Sequence, residues 1–346
     1  MTDSAPSALR IALSTLGHGG SLSTTECMAA FTMVMNGEGS PVQVAALLMG
    51  LRVKGETAAE VEGAAQALRG AMRVLDAADP AGLVDTCGTG GGAFSTFNIS
   101  TAAALVAAGA GVRIAKHGNR SFTSRCGSAD VLEALGIDVS LSVQRMQEVL
   151  SQAGIVFMFA PTMHPAMRHV GPVRRELAVP TMMNLLGPLA NPARAGRQVI
   201  GVADVARLPL IADALLSLGT THAMVVHGSP GMDEISPIGP TRVIELEAGQ
   251  QRPWNLDPDE YGFADINPND LAGGSPEENA AIIKNVLVGK GTPGANAAVL
   301  LNAAGAIHVS GVAAGFSQSL HLARESLRAG AGYTALQRLR TAAPAM

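Results

Sequence analysis

The first 75 residues carry apolar side chains at helical spacing. From Ala8 to about Leu75 the apolar positions recur every three or four residues, which is the period of an amphipathic helix. Ser23, Ser40 and Thr57 each precede such a run, and a hydroxyl at that point caps a helix by accepting from its first free N–H groups. The pattern predicts a small helical domain over residues 1–75.

After Asp79-Pro80 the pattern changes to short apolar runs separated by helical stretches. Six runs have the length of buried strands: Leu83 to Cys87, Val112 to Ala115, Ile155 to Ala160, Gln198 to Val202, Ala223 to His227 and Val243 to Leu246. Strands that alternate with helices predict a mostly parallel sheet covered on both faces. The expected fold class is therefore α/β, with the small N-terminal helical domain followed by a large α/β domain in residues 76–346.

Glycine-rich or polar loops follow four of the predicted strands. They are GTGGG after Cys87, KHGNR after Ala115, PTMHP after Ala160 and HGSPGMDE after Val226. In open α/β sheets, ligands bind outside the carboxyl ends of the strands. We therefore expect these loops to form the functional site.

Composition narrows the choice of partner and compartment. The 346 residues are 47% hydrophobic and 3% aromatic with a net charge of -4, so neither charge nor stacking surface favours nucleic acid. Cys27, Cys87 and Cys126 are far apart and form no CxxC, which predicts free thiols in a reducing compartment.

Nothing in the sequence predicts export or a membrane span. The N-terminus has no basic segment leading into a long apolar stretch, so we expect no signal peptide and a cytoplasmic location. The longest charge-free run, Gly291 to Ala323, is interrupted by Pro293, Asn296 and many glycines, and it predicts packed helices.

Residues 88–93, GTGGGA, fit the dinucleotide-binding pattern GxGxxG/A. A nicotinamide site also needs a carboxylate about 20 residues later, yet no Asp or Glu occurs from Gly88 to Ala129. That stretch instead carries the cations Arg113, Lys116, Arg120 and Arg125. Glycine N–H groups and a helix N-terminus near Ser100 and Thr101 would add donors. The combination favours a site for more than one phosphate, with a structural turn beside a solvated basic face as the alternative.

Two more loops suggest ligands for phosphate and metal. Lys116 supplies a point charge and Asn119 supplies hydrogen-bonding groups for sugar or phosphate oxygens. Asp233 and Glu234 follow the strand that ends at His227, and two carboxylates together with substrate phosphates suit Mg²⁺. Adjacent loop carboxylates are otherwise usually just solvated.

Arg174 is the candidate for binding a substrate carboxylate, because a guanidinium can hold one through two parallel hydrogen bonds. The alternative is an arginine satisfied by Glu176 or by a helix C-terminus. His164 and His169 are five residues apart without HExxH, so this stretch does not predict a zinc site.

Five long motifs run through the chain: KHGNRSFTSRCGSADVLEALG, FAPTMHPAMRHVGPVRREL, NLLGPLANP, GMDEIS and LAGGSPEEN. Together they resemble the anthranilate phosphoribosyltransferase family over nearly the whole chain. The resemblance implies a fold similar to that of pyrimidine nucleoside phosphorylases, in which residues 167–187 return to the helical domain. It also implies a homodimer formed through helical domains, and transfer of the phosphoribosyl group of PRPP to the amine of anthranilate in tryptophan biosynthesis.

The resemblance further implies roles for individual residues. The contacts expected for PRPP are Gly88, Gly91, Gly92, Thr96, Asn98, Ser100, Thr101, Lys116, Asn119, Ser124 and Ser128. The contacts expected for anthranilate are Gly88, Asn119, His164 and Arg174. The expected Mg²⁺ ligands are Ser100, Asp233 and Glu234. No residue is expected to act as a general base, because an aromatic amine can attack while neutral.

The chain departs from the family pattern in the glycine loop. The family loop reads GTGGDG, whereas this chain has Gly92 in place of the acid and Ala93 after it. Cys126 likewise stands where serine is common. We hypothesise that backbone donors and magnesium hold PRPP here, with a water or a neighbouring hydroxyl in place of the missing side chain.

Two other functions are compatible with parts of the pattern. One is a related phosphoribosyltransferase or pyrimidine nucleoside phosphorylase with another acceptor, against which Asn119, His164 and Arg174 argue. The other is a non-catalytic nucleic-acid-binding paralogue that uses the basic residues from Lys116 to Arg125. Net negative charge, few aromatic residues and the Asp233-Glu234 pair argue against it.

Overall fold

The N-terminal part of the protein is helical. The computed structural model describes residues 7–92, 94–121 and 125–345. Its first helices are α1 (Ala8–Gly17), α2 (Thr24–Met35), α3 (Pro41–Lys54) and α4 (Ala58–Ala71). Ser23, Ser40 and Thr57 cap α2, α3 and α4, and the third residue of each helix returns a hydrogen bond to the cap. The predicted caps are confirmed.

The remainder alternates strands and helices. The strands are β1 (Val84–Gly88), β2 (Ile114–Gly118), β3 (Ile155–Phe159), β4 (Arg197–Gly201), β5 (His222–Gly228), β6 (Thr241–Glu247) and β7 (Gln250–Leu256). The helices are α5 (Ile99–Gly109), α6 (Ser128–Ala134), α7 (Val143–Ala153), α8 (Ala160–Met163), α9 (Gly171–Leu177), α10 (Met183–Leu189), α11 (Leu208–Ser217), α12 (Pro276–Leu287), α13 (Pro293–Ser310), α14 (Phe316–Arg328) and α15 (Ala331–Ala342). Within the described ranges, none of the helices has the length and apolar character that crossing a bilayer requires.

The strands form one sheet in the order β3-β2-β1-β4-β5-β6-β7. Strands β1 to β5 run parallel, and β6 and β7 are antiparallel to their neighbours. The α/β class with a mostly parallel sheet is therefore confirmed. Because β2 and β3 lie on one side of β1 and β4 and β5 on the other, the chain reverses direction of travel between β1 and β4. A ligand crevice is expected outside the carboxyl ends of these two strands.

Strand β7 was not predicted, because its sequence QQRPWNL does not look like a strand. Pro253 cannot donate a hydrogen bond, so it is tolerated only at a sheet edge, which is where β7 lies. Ala248 and Gly249 both have positive φ and form the tight turn that joins β6 to β7.

The two faces of the sheet belong to different cores. Along β5, Met224 and Val226 pack with α5 and α13, whereas Ala223 and Val225 pack into the cluster that contains α11 and the N-terminal helices. The helical domain thus rests on the sheet through α11, with which α4 is in contact.

A later segment joins the N-terminal helices. Val170, Val173, Leu185 and Leu186 are buried in the same cluster as residues of α1 to α4. Helix α9 contacts α3, and α10 contacts α4. The division of the chain at residue 75, with a returning segment near 167–187, stays a prediction.

Candidate active site

The glycine loop lies at the point where the chain changes direction between β1 and β4. The Thr89 N–H donates to the Gly201 carbonyl at 2.9 Å, and the Thr89 hydroxyl accepts from the Ala203 N–H at 3.1 Å. Gly90 and Gly91 have φ values of 68° and 80°, which side chains with a Cβ rarely adopt. The loop therefore exposes backbone at the crevice that the strand order predicts.

The loop after β5 that carries Asp233 and Glu234, called here the acidic loop, is in direct contact with this backbone. Asp233 Oδ2 accepts from the Gly90 N–H at 3.0 Å. A Cβ at Gly88 would lie 2.7 Å from Asp233 Oδ2, and a Cβ at Gly201 would overlap the Asp233 carbonyl. Glycine is required at the ends of both β1 and β4 so that Asp233 can sit between them.

Glu234 faces the N-terminus of α5. Its Oε1 accepts from the Ser100 N–H at 3.2 Å, and Lys116 Nζ donates to the Ser100 hydroxyl at 3.2 Å. Lys116 also donates to the Thr86 carbonyl. Three elements, β2, α5 and the acidic loop, are thus joined around Ser100.

Burial makes the negative charge at this point costly. Burial and the neighbouring Asp233 raise the pKa of Glu234 to about 8, and burial also raises the pKa of Asp233. The ammonium of Lys116 lowers the pKa of Glu234 and so offsets part of this rise. Burial also lowers the pKa of Lys116 itself. The carboxylates of Asp233 and Glu234 and the hydroxyl of Ser100 are hard oxygen donors, so they fit a divalent cation such as Mg²⁺. The three predicted metal ligands are brought together.

Asn302 of α13 holds the acidic loop in place. Its Oδ1 accepts from the Ile235 N–H at 2.9 Å, and its Nδ2 donates to the Ile235 carbonyl at 2.8 Å. Both bonds are to Ile235, the residue that follows Glu234. The Asn302 amide therefore satisfies the N–H and the carbonyl of this residue, as a neighbouring strand would. Sequence reasoning missed Asn302, because an asparagine in an Ala-rich helix gives no signal of its distant partner.

Asn98 belongs to a neighbouring network. Its Oδ1 accepts from Asn279 Nδ2 at 2.9 Å, and its Nδ2 donates to the Cys126 carbonyl at 3.2 Å. Thr96 forms a β-bridge with Ala272. The LAGGSPEEN segment therefore anchors the start of α5, and the side-chain groups of Asn98 are already bonded to protein.

The other candidates for PRPP contact lie around the end of β2. The Asn119 carbonyl accepts from the Ser128 hydroxyl at 3.2 Å, which ties this loop to the first residue of α6. Thr101 is only 2% exposed, and its hydroxyl points into the core without a partner among the described residues. Ser124 lies outside the described residues.

Two of the cations counted toward a basic patch are not free to bind phosphate. Arg113 precedes β2, so it lies at the amino end of the strand, away from the crevice. Arg120 forms ion pairs with Asp130 at 2.8 Å and Glu133 at 2.6 Å on α6. The stretch from Gly88 to Ala129 contains no acidic residue of its own, but in the folded protein the carboxylates of α6 neutralise Arg120.

Two buried histidines lie next to each other: His117 near the end of β2, and His164 directly after α8. The rings of His117 and His164 are 4.9 Å apart between centroids, and His117 Nδ1 lies 3.3 Å from the Gly187 carbonyl. Neither ring nitrogen of His164 has a partner within the described part of the chain. Burial lowers the pKa of His117 to about 3 and that of His164 to about 4, so both rings are neutral near pH 7.

A buried carboxylate fixes the backbone beneath these rings. Asp85 Oδ1 accepts from the His117 N–H at 3.0 Å, and its Oδ2 accepts from Asn191 Nδ2 at 2.8 Å. Asn191 also donates to the Ala115 carbonyl at 2.9 Å. The NLLGPLANP motif is therefore bonded to both β1 and β2.

Arg174 lies on α9 in the segment that packs with the helical domain. Burial lowers its pKa, and no described residue, Glu176 included, forms a hydrogen bond or ion pair with its guanidinium. No described hydrogen bond links Arg174 or His164 to the glycine loop or the acidic pair. The candidate residues for phosphate and metal thus lie together at the sheet, whereas Arg174 lies in the segment that packs with the helical domain.

Comparison with known proteins finds matches in two parts of the chain. Residues 10–72 match the helical bundle domain of the glycosyl transferase family, and residues 80–333 match its a/b domain. An anthranilate phosphoribosyltransferase of Rubrobacter xylanophilus is 48% identical over 330 residues, which cover 95% of this chain and 96% of the relative. One from Herpetosiphon aurantiacus is 46% identical and covers 96% of this chain and 98% of the relative.

The chain belongs to the anthranilate phosphoribosyltransferase family.

Solved structures of the family have the same fold. The Thermus thermophilus anthranilate phosphoribosyltransferase superposes with a TM-score of 0.90 at 42% identity, covering 96% of this chain and 98% of that one. The Saccharomyces cerevisiae enzyme in complex with PRPP and Mg gives a TM-score of 0.87 at 28% identity, covering 96% and 97%. The family membership expected from the five motifs is confirmed.

The loop departure from the family pattern lies beside the acidic pair. A Cβ at Gly92 would lie 3.1 Å from the Gly231 carbonyl and 3.3 Å from Asp233 Oδ1. An aspartate at this position would bring a third carboxylate next to two that are already costly to ionise. Gly92 leaves this side of the loop free of charge.

We expect Gly92→Asp to leave PRPP affinity unchanged or lower, because the added carboxylate repels both Asp233 and the pyrophosphate group. Titration of PRPP at fixed Mg²⁺ measures the effect, with Gly92→Asn as the uncharged control of equal size. A gain of about tenfold or more in the aspartate variant, roughly 1.4 kcal/mol, would show that the missing acid is needed.

The two buried histidines predict a loss of stability at acidic pH. In the unfolded chain their pKa is near 6.5, above the folded values of about 3 and about 4, so the unfolded state binds more protons below pH 6.5. Their contribution is complete above that pH and falls by about 1.4 kcal/mol per pH unit and per histidine as the pH drops toward 4.

Urea unfolding between pH 7.5 and 4.5 checks this expectation. His164→Asn should show a shallower fall in the free energy of unfolding than the native protein, whereas His321→Gln, which changes an exposed ring, should follow the native curve. Parallel curves for the native protein and His164→Asn would refute the assignment.

Proposed function

We propose that this chain transfers the 5-phosphoribosyl group of PRPP to the amine of anthranilate, giving N-(5-phosphoribosyl)anthranilate and pyrophosphate for tryptophan biosynthesis. The observation that carries the proposal is the half-buried Asp233-Glu234 pair, held against the glycine loop and the N-terminus of α5. Members of the family that align over nearly the whole chain are named for this reaction.

Mg²⁺ is the proposed cofactor, with Asp233, Glu234 and Ser100 as its protein ligands. The yeast family member has been solved with PRPP and Mg, which supports the same pairing here. When bound, the ion would neutralise charge on the departing pyrophosphate. Lys116, bonded to Ser100, adds a fixed positive charge beside the same oxygens.

The proposed PRPP site extends from the glycine loop to the loop after β2. Gly91 and Gly92 place solvent-accessible backbone at the carboxyl ends of the strands, next to the N-terminus of α5, where the positive end of the helix dipole favours an anion. The side chains proposed to complete it are Thr96, Asn98, Thr101, Asn119, Ser124 and Ser128. The side chains of Asn98 and Thr101 face protein, and the Thr101 N–H donates to the Asn98 carbonyl at 3.2 Å.

The proposed anthranilate site lies on the other side, toward the helical domain. Arg174 has a half-buried guanidinium without a partner in the described structure, which suits a carboxylate that can accept two hydrogen bonds. His164 is neutral and buried, so it offers a polar edge within an apolar wall. Gly88 and Asn119 would contact the acceptor from the phosphoribosyl side.

Positioning and electrostatics account for the reaction. The transition state has oxocarbenium character at the anomeric carbon, and negative charge builds on the leaving group. The loop amides and Lys116 face that charge, while Arg174 orients the amine for attack. The nearby histidines have depressed pKa values and are poor bases, which agrees with attack by a neutral amine.

We also propose a homodimer formed through the helical domain and a cytoplasmic location. Apolar side chains are exposed on this domain, at Ile11 of α1 and at Val42 and Val53 of α3, with exposed fractions of 43%, 78% and 80%. Burying them against a second copy would remove apolar surface from water.

Loss of anthranilate fluorescence on addition of PRPP tests the function. We expect the loss to require both PRPP and Mg²⁺, to stop on chelation, and to release one pyrophosphate for each anthranilate consumed. Turnover of a pyrimidine nucleoside with phosphate, or consumption of PRPP without loss of anthranilate, would favour another acceptor.

Arg174→Ala should lower kcat/KM for anthranilate by about 30-fold or more, since removing a charge-assisted hydrogen bond costs about 2–3 kcal/mol. The dissociation constant of PRPP should change little. Arg175→Ala removes a neighbouring exposed guanidinium and is the matched control. Equal losses for both substrates in Arg174→Ala would contradict the assignment.

A further inference from the structure

A second cluster of metal-ligating side chains lies near the amino end of β5, whereas the candidate active site lies at the carboxyl ends of the parallel strands. His222 begins β5, Glu245 lies in β6, and His308 lies in the last turn of α13. One ligand atom from each falls within 4.8 Å of the others. His222 is 4% exposed and Glu245 is 2% exposed. Neither the proposed reaction nor the family motifs use this cluster.

Both imidazoles converge on one oxygen atom. His222 Nε2 lies 3.0 Å and His308 Nε2 lies 2.6 Å from Glu245 Oε1. The two rings are nearly perpendicular, with an interplanar angle of 74°, so they approach this oxygen from different directions. Two nitrogens and one oxygen arranged in this way are a set of donors suited to a tetrahedral metal ion.

The second oxygen of Glu245 is fixed by other residues. Oε2 accepts from Arg252 at 2.7 Å and from Trp254 Nε1 at 3.0 Å, both on β7. These bonds orient the carboxylate so that Oε1 alone faces the histidines. The carboxylate is thereby presented as a ligand through one oxygen.

The remaining nitrogens of the histidines also fit metal binding. His222 Nδ1 faces Glu247 Oε1 at 3.9 Å, and a histidine that binds metal commonly directs its other nitrogen to a carboxylate. His308 Nδ1 is buried and has no partner in the described residues. The bonds to Glu245 therefore use only the Nε2 atom of each ring, and His308 Nδ1 is left without a hydrogen bond in the described residues.

We propose that His222, Glu245 and His308 form a binding site for one divalent transition-metal ion of the zinc class, with water as the fourth ligand. Imidazole and carboxylate donors in tetrahedral arrangement select zinc over magnesium. Ligand atoms about 2.0–2.1 Å from such an ion stand about 3.3 Å apart, so His308, the most exposed of the three, must move outward slightly. The ion would join β5, β6 and α13 and act on stability, not on the transfer reaction.

Zinc binding to the chelator-stripped full-length protein tests the proposal. Millimolar Mg²⁺ is kept present to occupy the acidic pair at the active site, and Zn²⁺ is then titrated by calorimetry or equilibrium dialysis. We expect one Zn²⁺ per chain, with affinity reduced at least about tenfold in His222→Gln and in His308→Gln. His321→Gln, an exposed histidine on α14, and Asp233→Asn, at the candidate active site, should bind as the native protein does.

Two readouts identify the ligands independently of affinity. Co²⁺ in place of Zn²⁺ should give the intense visible absorption of a four-coordinate site in the native protein and lose it in His308→Gln. Saturating Zn²⁺ should raise Tm by roughly 3–7 °C in the native protein and leave the two histidine variants unshifted. If one variant does not fold, the other decides.

The proposal is overturned if the native protein binds no Zn²⁺ up to about 100 μM. An ion that binds more weakly than this would add little to the free energy of unfolding. It is equally overturned if His222→Gln and His308→Gln bind Zn²⁺ as tightly as the native protein. Loss of binding in Asp233→Asn alone would place the ion at the active site and also refute it.

Discussion

The site depends on close contact between the acidic loop and the glycine backbone at the ends of β1 and β4. Asp233 fits there only because Gly88 and Gly201 have no side chains. Asn302 fixes the same loop through hydrogen bonds to the N–H and carbonyl of Ile235. The two carboxyl groups are half-buried, and their partial removal from water raises the pKa of both. Ionisation of both carboxyl groups at the crevice between β1 and β4 is therefore unfavourable without a nearby cation. A divalent cation bound by this pair would relieve that cost.

The two halves of the site differ in how they treat charge. On the sheet side, N–H groups, Lys116 and the acidic pair provide many polar contacts for a highly charged ligand. The neutral His117 and His164 and the half-buried Arg174, which has no partner in the described structure, offer fewer charges. An aromatic acid suits the second environment, since its ring is apolar and its single carboxylate needs one guanidinium. The hydrogen bond between Asn191 and Asp85 joins the segment before β4 to β1, and so fixes that segment against the sheet.

Much of the fold could be predicted because its signals are local. Ser23, Ser40 and Thr57 sit next to the helices they cap, and the six apolar runs coincide with β1 to β6 to within a few residues. The misses have long-range causes. Strand β7 contains Pro253 and is a strand only through its pairing with β6, while Arg120 looked like a free cation until α6 placed Asp130 and Glu133 beside it. Asn302, Asn191 and Asn279 act through partners far away in sequence. The motifs indicated which loops matter, but not which side chains would face protein, as those of Asn98 and Thr101 do.

Pro253 has a consequence for assembly. Strand β7 is an outermost strand, and an outermost strand with a full set of free N–H groups can pair with the same strand of another molecule. Proline removes one of those donors, and its ring obstructs the approach of a neighbouring backbone. Growth of the sheet from one copy into the next is disfavoured along this border. Contacts between copies are thereby directed away from backbone pairing along β7.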